Sequence, residues 1–192
     1  MSRSGVRSPG SGEKSKARPK TPTRSSKPKT SKPAKPGLRT PKSGFRTVVI
    51  GYGNPLRSDD GFGWRAAKLL TEVLSGWQAE IITCHQLTPE LAEPLSRATR
   101  AVFIDADVEG PPGSVRHQIV RPRTPSPSAF THTCAPADLL YSAQELYGHH
   151  PEALIISVSA QSFDFADSLS PAVSAALPKV IRQICQWLGL RG

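Results

Sequence analysis

Apolar residues recur along this 192-residue chain in two patterns. Short runs of the buried-strand kind fall at residues 47–51, 79–85, 101–105 and 153–159, and residues 115–120 alternate as a half-exposed edge strand does. Stretches with helical periodicity lie between them, at 61–74, 89–96, 135–147 and 171–188. The last of these puts Val173, Leu177, Val180, Ile181, Ile184 and Leu188 on one face, and Pro178 within it predicts a bend or a fresh first turn. Strands alternating with helices predict an α/β fold: a three-layer, mainly parallel twisted sheet with helices on both faces. In that architecture functional groups collect at the carboxyl ends of the strands.

The pattern starts only near Phe45. Residues 1–44 hold thirteen Lys or Arg against the single acid Glu13, a net charge of +12, with seven prolines and almost no large apolar residues. Such a segment cannot bury a core, and a disordered basic tail is expected. Residues 45–192 carry 12 basic and 14 acidic groups, so the whole-chain charge of +10 belongs to the tail. The tail suits non-specific association with a polyanion through counterion release, but it has no interleaved aromatics to stack on bases. An inert extension, an organelle transit peptide and a misassigned translation start are the other readings. Residues 45–192 suffice for one domain. No apolar run reaches the roughly 18 residues that span a bilayer, and three widely spaced cysteines (Cys84, Cys134, Cys185) suit a reducing cytosol, so no membrane partner and a cytoplasmic location are expected.

Three polar clusters follow strand-like runs. The first is the loop Gly51-Tyr52-Gly53-Asn54-Pro55-Leu56-Arg57-Ser58-Asp59-Asp60-Gly61-Phe62-Gly63. Its glycines resemble a phosphate cradle, but two carboxylates would repel a phosphate and attract a cation. One of Asp59 and Asp60 is expected to cap the following helix and leave the other free. The glycines either serve the turn or let a substrate backbone come close. The second cluster is Asp105, which ends the run Val102-Phe103-Ile104. The third is Thr131-His132-Thr133-Cys134, ahead of a helix containing Asp138. Two carboxylates and an imidazole from three loops of one sheet edge make a mixed oxygen and nitrogen site for a borderline divalent ion such as nickel or zinc. A zinc site from Cys84, His85, His132 and Cys134 is an alternative without the usual paired-cysteine spacing.

The stretch 48–63, with Asp105 and with His132 ahead of Ala137-Asp138-Leu139-Leu140, resembles the nickel-iron hydrogenase maturation endopeptidases. The resemblance spans residues 45–192 and leaves out the tail. It implies an endopeptidase, classed as aspartyl-type, that trims the C-terminal extension of the hydrogenase large-subunit precursor. The ligands carried over are Asp60, Asp105 and His132, which would recognise nickel already installed in the precursor, with zinc or cadmium as a surrogate. Some members have Glu at the position of Asp60. His85-Gln86-Leu87-Thr88-Pro89-Glu90-Leu91 stands where many have an Asp-Gly-Gly-Thr turn, and resembles the subset serving bidirectional, NAD-linked hydrogenases. Two competitors belong to other classes. A nucleotide-binding oxidoreductase would need a glycine at Leu56 and an acid where Cys84 and His85 stand. A polyanion-binding protein would need a basic face on a domain whose net charge is −2.

Overall fold

The computed structural model describes residues 46–124 and 134–190, and the basic tail and His132 lie outside them. Five strands form one sheet in the order β2-β1-β3-β5-β4. They are β1 (Thr47–Tyr52), β2 (Ala79–Cys84), β3 (Arg100–Asp107), β4 (Val115–Val120) and β5 (Glu152–Ser159). All pairings are parallel except the edge strand β4 against β5. The helices are α1 (Phe62–Val73), α2 (Ala92–Ser96), α3 (Pro136–Tyr147) and α4 (Pro171–Trp187), with single 3-10 turns at Ser58–Gly61 and Pro89–Leu91.

Two cores follow from strand alternation. Val49, Val102, Ile104, Ile156 and Val158 face one side and pack with Phe62, Ala66 and Leu70 of α1 and Val173, Val180 and Ile184 of α4. Val48, Ile50, Ala101, Phe103 and Ala153 face the other and pack with Leu95 of α2 and Leu139, Leu140 and Ala143 of α3. The expected three layers are present. Helix α4 runs unbroken through Pro178, so no fresh turn starts there. Pro178 is exposed, so water can satisfy the carbonyl that its missing N–H leaves unpaired.

Because β2 lies on one side of β1 and β3 on the other, the chain leaves β1 and β2 over opposite faces of the sheet, and a crevice opens at the carboxyl ends of β1 and β3. Pairing of β1 with β3 stops at Gly51 and Ile104. Strand β3 continues along β5 to Asp107 and Ser159, so Asp105 is held inside a strand and not at its end, as its sequence position implied.

Candidate active site

Asp59 and Asp60 sit in the 3-10 turn between β1 and α1, and neither caps the helix. Asp59 is fully buried and turned toward the segment between β5 and α4. Its carboxylate accepts from the N–H groups of Gln161 (2.8 Å), Ser162 (3.0 Å) and Ser170 (2.7 Å), and from the Ser170 hydroxyl (2.9 Å). Burial pushes its pKa up, but the bonds from Ser170, Gln161 and Ser162 outweigh that and hold the carboxyl below its usual range. Main-chain bonds from Ser58 N–H to the Ala166 carbonyl (2.9 Å) and from Ala166 N–H to the Leu56 carbonyl (3.1 Å) close the same seam. Ser58 adopts φ +46°, unusual for a residue with a side chain, and its hydroxyl donates to the Ser168 carbonyl.

Asp60 turns the other way and accepts the Asn54 N–H at 2.9 Å. The loop's remaining donors are also engaged: Leu56 N–H with the Asn54 side chain, Arg57 N–H with the Asn54 carbonyl, and Asp59 N–H with the Ser162 carbonyl. A phosphate would find few free N–H groups here. The loop glycines serve the turn and also close packing within the chain. A Cβ on Gly53 (φ +119°) would strike the Asp60 carbonyl, and one on Gly63 would meet the Ile104 carbonyl and the Tyr52 backbone. Bare backbone lets α1 wedge into the crevice and brings Asp60 toward β3.

There its charge reaches Asp105. Burial pushes the Asp105 carboxyl up to about 6; bonds from the Ala106 N–H (2.8 Å) and the Tyr52 hydroxyl pull it down, while the charges of Asp60 and Asp107 push it up. Tyr52, raised by burial and then by Asp105, stays protonated and remains a donor. Asp107 is different: Arg116 pairs with it, and the Ser157 side chain and the Glu109 N–H bond it, which outweigh burial and lower its pKa. Asp60 and Asp105 are thus two partly buried carboxylates at one crevice, Asp105 within reach of the charge of Asp60, and neither has an ion-pair partner among the described residues. A cation at this point would relieve their repulsion.

The third expected ligand, His132, lies outside the described residues. Cys134, just after it, packs on the sheet face that Ile50 and Phe103 share, and its N–H bonds the Leu87 carbonyl at 3.4 Å. Asp138 accepts the Ala135 N–H and caps α3. Among the described residues no group of three His, Cys, Asp or Glu side chains gathers into a metal cluster. Cys84 and Cys134 are free thiols, each raised by burial, and His85 stacks at a tilt on Trp64. The roles of Asp59 and Tyr52 were not foreseen. An acid followed by a second acid, and a tyrosine on the face of Ile50, were the available signals.

Fold and site together define an α/β protein with a two-carboxylate centre at its switch point. No protein-family model matches the chain, and no curated protein matches it by sequence. Solved structures do. The hydrogenase 2 maturation peptidase of a Thaumarchaeota archaeon is 26% identical over 76% of this chain and 99% of its own, with a TM-score of 0.56. The hydrogenase maturating endopeptidase HybD of E. coli is 22% identical, covers 77% of this chain and 96% of its own, and has a TM-score of 0.56. The [NiFe] hydrogenase maturation protease HycI of Thermococcus kodakarensis reaches 0.59 at 21% identity, over 73% and 90% of the two chains. These three neighbours are hydrogenase maturation peptidases, and the chain shares their fold over nearly the whole of their length.

Proposed function

We propose that this chain is the endopeptidase that removes the C-terminal extension of a nickel-loaded hydrogenase large-subunit precursor. The observation that carries the reading is the placement of Asp60, on the turn after β1, and Asp105, on β3, at the same β1/β3 crevice, where the charge of Asp60 reaches Asp105 and neither has an ion-pair partner among the described residues. Nickel belongs to the substrate. Asp60, Asp105 and His132 bind it at its open positions and so bring the scissile bond beside it. The cation then polarises the scissile carbonyl or lowers the pKa of an attacking water. Cleavage becomes conditional on nickel loading. Zinc or cadmium offered to the free enzyme would act as a surrogate at the same residues.

The stretch from His85 to Leu91 makes the precursor of a bidirectional, NAD-linked hydrogenase the first substrate to try. Among the described residues no helix is long and apolar enough to cross a membrane, in keeping with a cytoplasmic task. Residues 1–44 carry no motif residue and serve at most for salt-sensitive contact with polyanions. The test is incubation of nickel-loaded and metal-free precursor with the purified chain, following large-subunit mobility. Processing of the loaded form alone is expected. Equal processing of both forms defeats the reading.

A further inference from the structure

The outer edge of β2 is a row of main-chain groups that nothing in the described structure pairs. The Thr47 N–H bonds the Gln78 carbonyl and the Gly53 N–H bonds the Cys84 carbonyl, so the even-numbered residues of β2 turn toward β1. Ile81 and Thr83 therefore turn their N–H and C=O groups outward. Edge strands are ordinarily blunted by proline, a bulge or a lysine, and Ala-Glu-Ile-Ile-Thr-Cys has none of these. Beside this edge runs a groove of about 520 Å³, lined by Trp64, Lys68 and Thr71 of α1 and by Ala79, Ile81 and Thr83.

The groove leads to the candidate site. At its upper end the Trp64 indole donates to the Cys84 carbonyl (2.8 Å), which also takes the Gly53 N–H (3.2 Å), and Gly53 is packed against Asp60. An outward N–H and C=O at every second residue, flanked by a side-chain groove, is complementary to one kind of occupant: an extended peptide adding a strand. The geometry points to the C-terminal extension of the precursor as that strand, a statement that rests on the function proposed above. With the scissile bond at Asp60 and Asp105, the extension runs away from the site, antiparallel to β2. Residues beyond the cut then pass Thr83 and Ile81 in turn, at about 3.4 Å per residue. Alternate side chains enter the groove, and the exposed Lys68 is placed to meet acidic groups of the extension, its terminal carboxylate among them.

Proline at an outward-facing position removes one N–H without breaking the ladder to β1, so Ile81→Pro and Thr83→Pro separate docking from folding. Nickel-loaded precursor is titrated against wild type, both proline variants, Lys68→Glu and Asp60→Ala, with thermal unfolding recorded for each. The expected result is folded edge variants whose kcat/KM falls roughly 10-fold, the worth of one or two main-chain bonds, carried mainly by KM. If a proline variant fails to fold, Lys68→Glu carries the test, with the same sign. Folded edge variants that process at the wild-type rate overturn strand docking while leaving the peptidase reading intact, provided that wild type cleaves and Asp60→Ala does not. A wild-type chain that leaves the loaded precursor intact overturns both.

Discussion

The two ends of the sheet treat charge in opposite ways. At the amino end, Arg97 pairs with Glu93 (2.9 Å) and Glu80 (3.9 Å), and Arg100 pairs with Glu152 (3.7 Å) while lying over the Trp187 ring. Cations there have anions. At the carboxyl end lie Asp59, Asp60, Asp105 and Asp107, and among the described residues only Asp107 of these four has a cation, Arg116. Asp59 is satisfied by three N–H groups and the Ser170 hydroxyl, while Asp60 and Asp105 have no cation among the described residues. Paired charge at one end holds elements together. Uncompensated charge at the other costs stability and is poised for a positive ligand.

The sharpest break of this contrast is at the site. Asp60→Ala, Asp105→Ala and His132→Ala should each lower processing of nickel-loaded precursor below about 1% of wild type, the loss expected when a ligand to the reacting cation is removed. The unfolding midpoints of the Asp60 and Asp105 variants should not fall far below wild type, because neither change leaves a cavity in the apolar core. Full processing by any one of them removes that residue from the site.

Asp59 lies next to Asp60 in sequence but should behave differently. Asp59→Ala strands buried donors from Gln161, Ser162 and Ser170, and a loss of roughly 3 kcal/mol is expected in urea unfolding. Asp59→Asn, which cannot accept at both ends, should fall between. A variant that loses processing while keeping wild-type stability would assign Asp59 to the chemistry instead.

Asp105 sharpens the comparison through pH. Its folded pKa of about 6 lies above the ordinary 3.8, so its contribution to stability is full below that lower value and is lost as pH rises through 6. Asp105→Asn abolishes this loss. In the free chain, the variant's stability advantage should grow by on the order of 1 kcal/mol between pH 5 and pH 7.5, measured by denaturant titration. A constant gap would mean that burial, with the charges of Asp60 and Asp107, does not raise the Asp105 pKa. The smallest effect belongs to the amino end, where Arg97→Ala should change stability by no more than about 0.5 kcal/mol, since its partners are exposed.

Much of this was legible in the sequence, for reasons that explain the misses. Runs such as Val48-Val49-Ile50 and Val102-Phe103-Ile104 are buried on both faces, and that density of apolar residues announces a central parallel strand. Helix α4 was readable from its stripe even across Pro178. Local rules failed where partners lie far away in the chain. One of Asp59 and Asp60 reads as a helix cap because their neighbours are a turn and a helix, while the donors to Asp59 sit more than a hundred positions later. The loop glycines read as turn residues or as room for a substrate backbone, because the chain's own backbone that they accommodate, at Ile104 and Asp60, is seen only in three dimensions. Asp105 reads as strand-terminal because the pairing that extends β3 comes from β5.

The seam closed by Asp59 also sets an order of events during synthesis. The ribosome delivers Asp60 and Asp105 early, but Gln161, Ser162 and Ser170 emerge 102 to 111 residues after Asp59. Closing so long a loop is entropically costly and cannot begin until the last strand and the start of the last helix are available. A nascent chain that exposes both site carboxylates therefore has them on an unfastened loop. Competence arrives only once Ser170 has emerged, and a chain cut short before it would carry the two site carboxylates without the fastening that sets their loop.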